Sequence, residues 1–337
     1  MSLTSLFARQ GRARLRLSVL LAASLAGFAP LAAQTPQDLA SRTELRPFSS
    51  LSLSDSQFLQ GDSKATPVTI AGELRFPATA AAGAKLPAVI VVHGSGGASA
   101  TTENWARIFN RMGIASFVID SFSGRGLTAV STNQGAMGRF NMVLDTFRAQ
   151  EVLAAHPRID PARIAVIGFS RGGTAVLYTA MRRFQKIWSP NFKVVGTFPL
   201  YASCFDQVDE DTDVVGPIRE FHGDADDYAS IQQCRDYFKR MKAAGRDVAQ
   251  MEFPGAHHGY DNVLGKTEAS VSTGSQSQRM CSVREEKGVL VNQQTKQEFT
   301  YKDACVTVDP HSGHDPDATA KTIAAVTGEL RGLFKLP

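Results

Sequence analysis

Short apolar runs alternate with amphipathic stretches through most of this chain, and the period of each run sets the expected element. Val68 to Phe76 alternates and reads as a strand that Pro77 stops. Leu86 to Val92 and Ile164 to Ile167 are apolar without alternation, which suits strands buried on both faces. Ile114 to Asp120, Val194 to Leu200, Ile218 to Phe221 and Val248 to Phe253 read as further strands. Between them, Glu103 to Met112, Gln134 to His156, Thr174 to Arg183 and Ser230 to Ala244 carry helical patterns. Gly113, Pro157 and Gly245 end three of these helices. Asp317 to Phe334 reads as a final helix. Strand alternating with helix at least five times predicts an α/β fold, a doubly wound, mostly parallel sheet with helices on both faces.

Two regions break that rhythm. Gln34 to Thr66 is a polar lead-in with an early strand near Phe48–Leu53, before a main domain spanning 67–337. Asn262 to Gly313 is rich in Ser, Thr, Gln and charge, with a hairpin-like run at Gly288–Gln293. A polar segment this long needs its own constraint. Cys281 and Cys305 bracket it, so a Cys281–Cys305 disulfide is expected to staple an insert, 262–313, beside the histidine loop that precedes it. Cys204–Cys234 is the expected second bridge, tying two loops of the main domain. No pair has the CxxC spacing of a redox or zinc site.

The start of the chain changes the charge argument. Arg9, Arg12, Arg14 and Arg16 precede an apolar stretch from Leu17 to Ala29, too short to span a bilayer comfortably. Leu31–Ala32–Ala33 then offers small residues before Gln34. Residues 1–33 read as a signal peptide cut after Ala33, without the Arg-Arg pair of a twin-arginine route. The mature protein is then periplasmic or extracellular, where an even cysteine count favours disulfides. The whole chain carries 36 basic and 32 acidic residues. The four arginines of the leader account for the excess, so the remainder is neutral. Nothing supports a nucleic-acid partner or stable membrane association after cleavage.

The candidate chemistry sits at the carboxyl ends of predicted strands, where ligands bind in open α/β sheets. These segments are His93–Gly94–Ser95–Gly96–Gly97, Gly168–Phe169–Ser170–Arg171–Gly172, Asp224–Ala225–Asp226–Asp227 and His257–His258. Gly168-x-Ser170-x-Gly172 between a buried strand and a helix is the setting of a nucleophile elbow. A serine hydroxyl needs an adjacent base, histidine supplies one near neutral pH, and a carboxylate orients the imidazole. Ser170, one acid of the 224–227 cluster and one of the two histidines supply these groups in that chain order. His93–Gly97 lacks the signature of a phosphate-cradling loop.

With these motifs the chain resembles the α/β-hydrolase superfamily, in its dienelactone hydrolase-like branch, over roughly Val68 to Tyr260 plus the final helix. The resemblance rests on Val91–Gly97, Asp160–Gly173, His222–Asp227 and Pro254–Tyr260. It implies Asp226 as the acid, four residues after the His of the His-Gly pair. It implies His258 as the base, three residues after the glycine of Pro-Gly-Ala. Asp227 and His257 are the next choices. It implies an oxyanion hole from the backbone N–H of Arg171 and of Ser95, or alternatively Gly96, with each donor worth about 3 kcal/mol in the transition state. The enzymes that name the family use a cysteine nucleophile, whereas position 170 is serine, which favours a more general esterase.

The function expected is therefore a secreted serine hydrolase of small-molecule esters or lactones that requires no cofactor. A peptidase or acyltransferase on the same triad is the alternative among enzymes, and a silent ligand-binding envelope protein is the alternative outside them. Among other groups, His93 and His222 are expected to be structural hydrogen-bonders and Arg125 a loop-stabilising residue. Trp105 and Phe122 either line the pocket or pack. Asp309, His311, His314 and Asp315 lack a recognised metal-ligand spacing.

Overall fold

The computed structural model describes residues 42–81 and 83–336. The expected signal peptide lies outside the described residues. The sheet strands are β1 (Thr43–Ser52), β2 (Thr66–Arg75), β3 (Leu86–Val92), β4 (Ala115–Asp120), β5 (Ile159–Phe169) and β6 (Thr197–Leu200). After a short β7 (Asp206–Gln207) come β8 (Ile218–Gly223) and β9 (Val248–Phe253). The helices are α1 (Asp55–Gln60), α2 (Ala100–Arg111), α3 (Asn141–Ala154), α4 (Arg171–Thr179), α5 (Arg182–Trp188), α6 (Ile231–Ala243) and α7 (Pro316–Phe334).

Eight strands form one sheet in the order β1-β2-β4-β3-β5-β6-β8-β9. The first two pairings, β1 with β2 and β2 with β4, are antiparallel. From β4 through β3, β5, β6 and β8 to β9 every pairing is parallel. The sheet is thus mostly parallel, with two clusters of buried side chains packed on it. Alternate residues of β3 divide between them: Val89 and Val91 join one cluster, Ala88, Ile90 and Val92 the other. That division explains why β3 has no alternation in sequence. Both of its faces are dry, and each fully buried valine or isoleucine contributes about 1.5–3 kcal/mol.

The polar lead-in holds more of the sheet than its composition suggests. From Thr43 onward it supplies a ten-residue edge strand in full register with β2. Ser54 caps α1 through a capping box, and α1 buries Phe58 and Leu59. Leu53 and Phe48 join the same cluster.

The insert is a set of small pairings held to the body. Val283–Glu286 and Val289–Asn292 form a hairpin, and the first of these strands pairs with β7. Ser270–Val271 pairs with His311–Ser312, and Gln276–Ser277 with Thr307–Val308. Both expected disulfides are present, Cys281–Cys305 and Cys204–Cys234. They point to a non-reducing environment. Among the described residues, no helix is long and apolar enough to cross a membrane.

Candidate active site

The turn between β5 and α4 is built by steric necessity. Ser170 adopts φ 55° and ψ −117°. For a non-glycine residue this backbone costs about 1–3 kcal/mol and persists only where the surroundings enforce it. A Cβ on Gly168 would stand 2.2 Å from the Gly172 carbonyl oxygen, and one on Gly172 would stand 2.3 Å from the carbonyl oxygens of Val92 and His93. Hence glycine at both positions, and hence the close approach of the β3 loop to the serine. The Ser170 amide donates to Leu200 O on the neighbouring strand (3.0 Å).

Two side chains from other strand ends converge on this serine. His258, in the turn after β9, places Nε2 2.8 Å from Ser170 Oγ. Its Nδ1 lies 2.7 Å from Asp226 Oδ2, in the turn after β8. The other oxygen of Asp226 accepts from the amides of Tyr228 and Ala229, both at 2.8 Å. Burial alone would raise the Asp226 carboxyl, but His258 and His222 outweigh it and hold the group below the usual carboxylate range. Asp226 is 7% and His258 6% exposed, so the chain of bonds is nearly dry. Such a line can pass the serine proton to the imidazole while the carboxylate fixes the tautomer.

The neighbouring residues of the same motifs face elsewhere. Asp227 accepts from the His311 amide (2.7 Å) and lies 2.9 Å from both His311 Nδ1 and Arg279 Nη1. The His257 ring stands 6.4 Å from that of His311. Arg171 is the first residue of α4, where the amide has no intrahelical acceptor. Ser95, on the loop after β3, lines the cleft with Ser170, as does Gly96. The Ser95 hydroxyl bonds the side chain of Gln134 (2.9–3.0 Å).

The remaining candidates have structural partners. His93 is wholly buried, accepts from the Ser121 amide at Nε2 and donates from Nδ1 to Gly94 O, and burial pushes its pKa down. Arg125 forks onto both oxygens of buried Asp145 and reaches Leu51 O, Ser52 and Ser121 O, which places it in the scaffold. Phe122 packs edge-on against His93. Trp105 donates to Asp261 Oδ2 at 2.7 Å. Asp309 accepts from the Gly274 amide and Asp315 caps α7, so each of these carboxylates serves a turn. Among the described residues, the one group of ligating side chains close enough to hold a metal is Glu220, His222 and Cys234. The Cys234 sulfur is committed to a disulfide.

Several site residues have no local sequence signal. Asp261 is wholly buried and accepts from both Trp105 and Tyr201 (2.7 Å each), and burial raises its carboxyl. Tyr201 and Tyr228 set their rings 4.8 and 4.5 Å from that of His258. The insert closes the rim: Ser272, Ser275 and Ser312 line the cleft at Ser170, and Gln278 and Tyr301 line a second lobe. Ser312 pairs with His258 as an isolated bridge, and the Gly313 amide donates to His258 O. In the second lobe Arg139 pairs with Asp206, whose carboxyl burial raises to about 6 against the pull of that arginine.

The model of the dienelactone hydrolase family matches residues 74–285. No curated protein matches the sequence. Among solved structures, a dienelactone hydrolase-like promiscuous phosphotriesterase from metagenomic libraries is 17% identical, with a TM-score of 0.55. The alignment covers 87% of this chain and 99% of that one. A thermophilic esterase from the Planctomycetes species Thermogutta terrifontis is 18% identical over 61% of this chain and 85% of its own, with a TM-score of 0.46.

Proposed function

This chain belongs to the dienelactone hydrolase family, and from that premise we propose that it is a serine hydrolase cleaving carboxylic esters or lactones through an acyl-enzyme. The observation that carries the proposal is the unbroken line from Ser170 Oγ through His258 to Asp226, at 2.8 and 2.7 Å. Ser170 attacks the carbonyl carbon while His258 Nε2 takes its proton. The negative charge that develops on the carbonyl oxygen is met by the amides of Arg171 and Ser95. His258 then returns the proton to the departing alcohol oxygen, and the acyl group stays on Ser170. Water attacks next, His258 accepts its proton, and the acid leaves as the hydroxyl of Ser170 is restored. Asp226 remains ionised throughout and steadies the imidazolium. The two disulfides and the basic, apolar start of the chain support secretion as its route.

A fluorophosphonate probe followed by peptide mass spectrometry tests this directly. Ser170 is expected to carry the label, and Ser170→Ala to lose both labelling and about 10⁴-fold or more of the p-nitrophenyl ester activity. A folded protein whose Ser170 stays unlabelled would sink the proposal.

A further inference from the structure

Behind Asp226 the line of charged groups continues into the protein. His222 and Glu220, both at 0% exposure, lie on β8. His222 Nε2 stands 3.2 Å from Asp226 Oδ2, the same oxygen that receives His258, and 3.2 Å from Ala229 O. Both neighbours are acceptors, so Nε2 must carry hydrogen. On the other side of the ring, Nδ1 lies 2.6 Å from Glu220 Oε1. That contact also needs a proton between its atoms.

We propose that His222 is a buried positioning residue, held as the imidazolium at neutral pH with Glu220 as its counter-ion, that fixes Asp226 and thereby tunes the proton affinity of the Ser170–His258 pair. The inference rests on the hydrolase reading of that pair. A carboxylate with two amides on one oxygen can still pivot about that edge, and a cation 3.2 Å from Oδ2 opposes that movement. A cation on the far side of Asp226 also opposes a second cation on His258, offsetting part of the stabilisation that Asp226 gives. Burial alone would strip the proton from His222, but the carboxylates of Glu220 and Asp226 outweigh it and push the imidazolium up to about 10. Among the described residues, few other ionisable groups face this pair. Glu252 on β9 pairs in register with His222 and is neutralised by Arg235. Tyr260 faces Glu220, with its phenol held protonated by burial. Asp261 lies on the His258 side and binds Trp105 and Tyr201.

The test uses ester hydrolysis by the whole protein between pH 5 and 9. The wild type and Ser170→Ala establish whether the hydrolase reading holds. His222→Gln leaves Glu220 buried without its partner, so Glu220→Gln/His222→Gln is the informative variant, being neutral and close to isosteric. It is expected to lose about tenfold in kcat and to move the acid-limb midpoint of kcat/KM up by about 0.5–1 pH unit. A purely structural pair would lower activity with that midpoint unmoved, and this result would overturn the inference while leaving the hydrolase reading intact. Imidazole nitrogen NMR of the wild type supplies a reading independent of variants. Both His222 nitrogens are expected to be protonated from pH 6 to 8, and a singly protonated ring in that range would also overturn it.

Discussion

At residue scale, the site depends on places where the backbone leaves no room for a side chain. Gly172 is the sharpest case, since its Cβ would meet two carbonyl oxygens of the β3 end that cannot retreat without dragging the sheet. Gly172→Ala is expected to destabilise the protein by about 3 kcal/mol, the upper part of the range for overpacking, and to displace Ser170. Urea unfolding together with fluorophosphonate labelling checks both effects. This part of the site was legible in the sequence because its chemistry is local. Glycines flank Ser170, and Asp226 and His258 sit at fixed offsets from His222–Gly223 and Pro254–Gly255. Asp261 and Tyr201 were not legible, because their roles arise from side chains 60 residues apart meeting in a dry interior. His222 was readable as a hydrogen-bonder, but its charge follows from Glu220 lying two residues away on the same strand and from the position of Asp226.

At the scale of elements, the period of the apolar residues located β3 and β9 to the residue, because each is bounded by a clear change in composition. Helix starts were less legible. Gln134 to His156 has a continuous helical pattern, yet α3 begins only at Asn141. Gln134 is drawn off by Ser95 and by the Arg171 guanidinium, and Gly138 lies against Leu53 O, where a Cβ would stand 2.3 Å away. The pattern assigned to one helix after the elbow also divides, at Ala180 and Met181, into α4 and α5. The insert was legible as a unit from its bracketing cysteines, and its seat on the cleft follows from Ser312 beside His258. Cys281 and Cys305 are 24 residues apart, so their bond removes about 3 kcal/mol of loop entropy from the unfolded chain. Cys281→Ser/Cys305→Ser is expected to lower the melting temperature and to raise KM for esters several-fold with a smaller change in kcat. The reason is that the insert supplies part of the wall of the cleft, whereas the proposed reacting groups lie at the strand ends. A loss confined to kcat would argue that the insert acts on the chemistry instead.

At the scale of the whole molecule, the buried charges behind the site should show in how stability varies with pH. A histidine raised from its ordinary value to about 10 binds a proton more tightly in the folded state than in the unfolded state. Its contribution is fully present below about pH 6.5 and is lost as pH rises through about 10. Between these limits the folded chain holds a proton that the unfolded chain has released, and stability falls by up to about 1.4 kcal/mol per pH unit from this group alone. Asp226 acts in the opposite sense and in another window. Its carboxyl is lowered in the fold, so its contribution is present above the ordinary carboxylate value and disappears only in acid. The other ionisable groups of the chain are common to the wild type and to Glu220→Gln/His222→Gln. The difference between the two unfolding curves therefore isolates the pair. Chemical denaturation at pH 6.5, 8 and 9.5 is expected to show the wild type losing stability more steeply than the double variant. Parallel curves would mean that the folded pair holds no extra proton in this range, so that His222 is neutral in the folded protein.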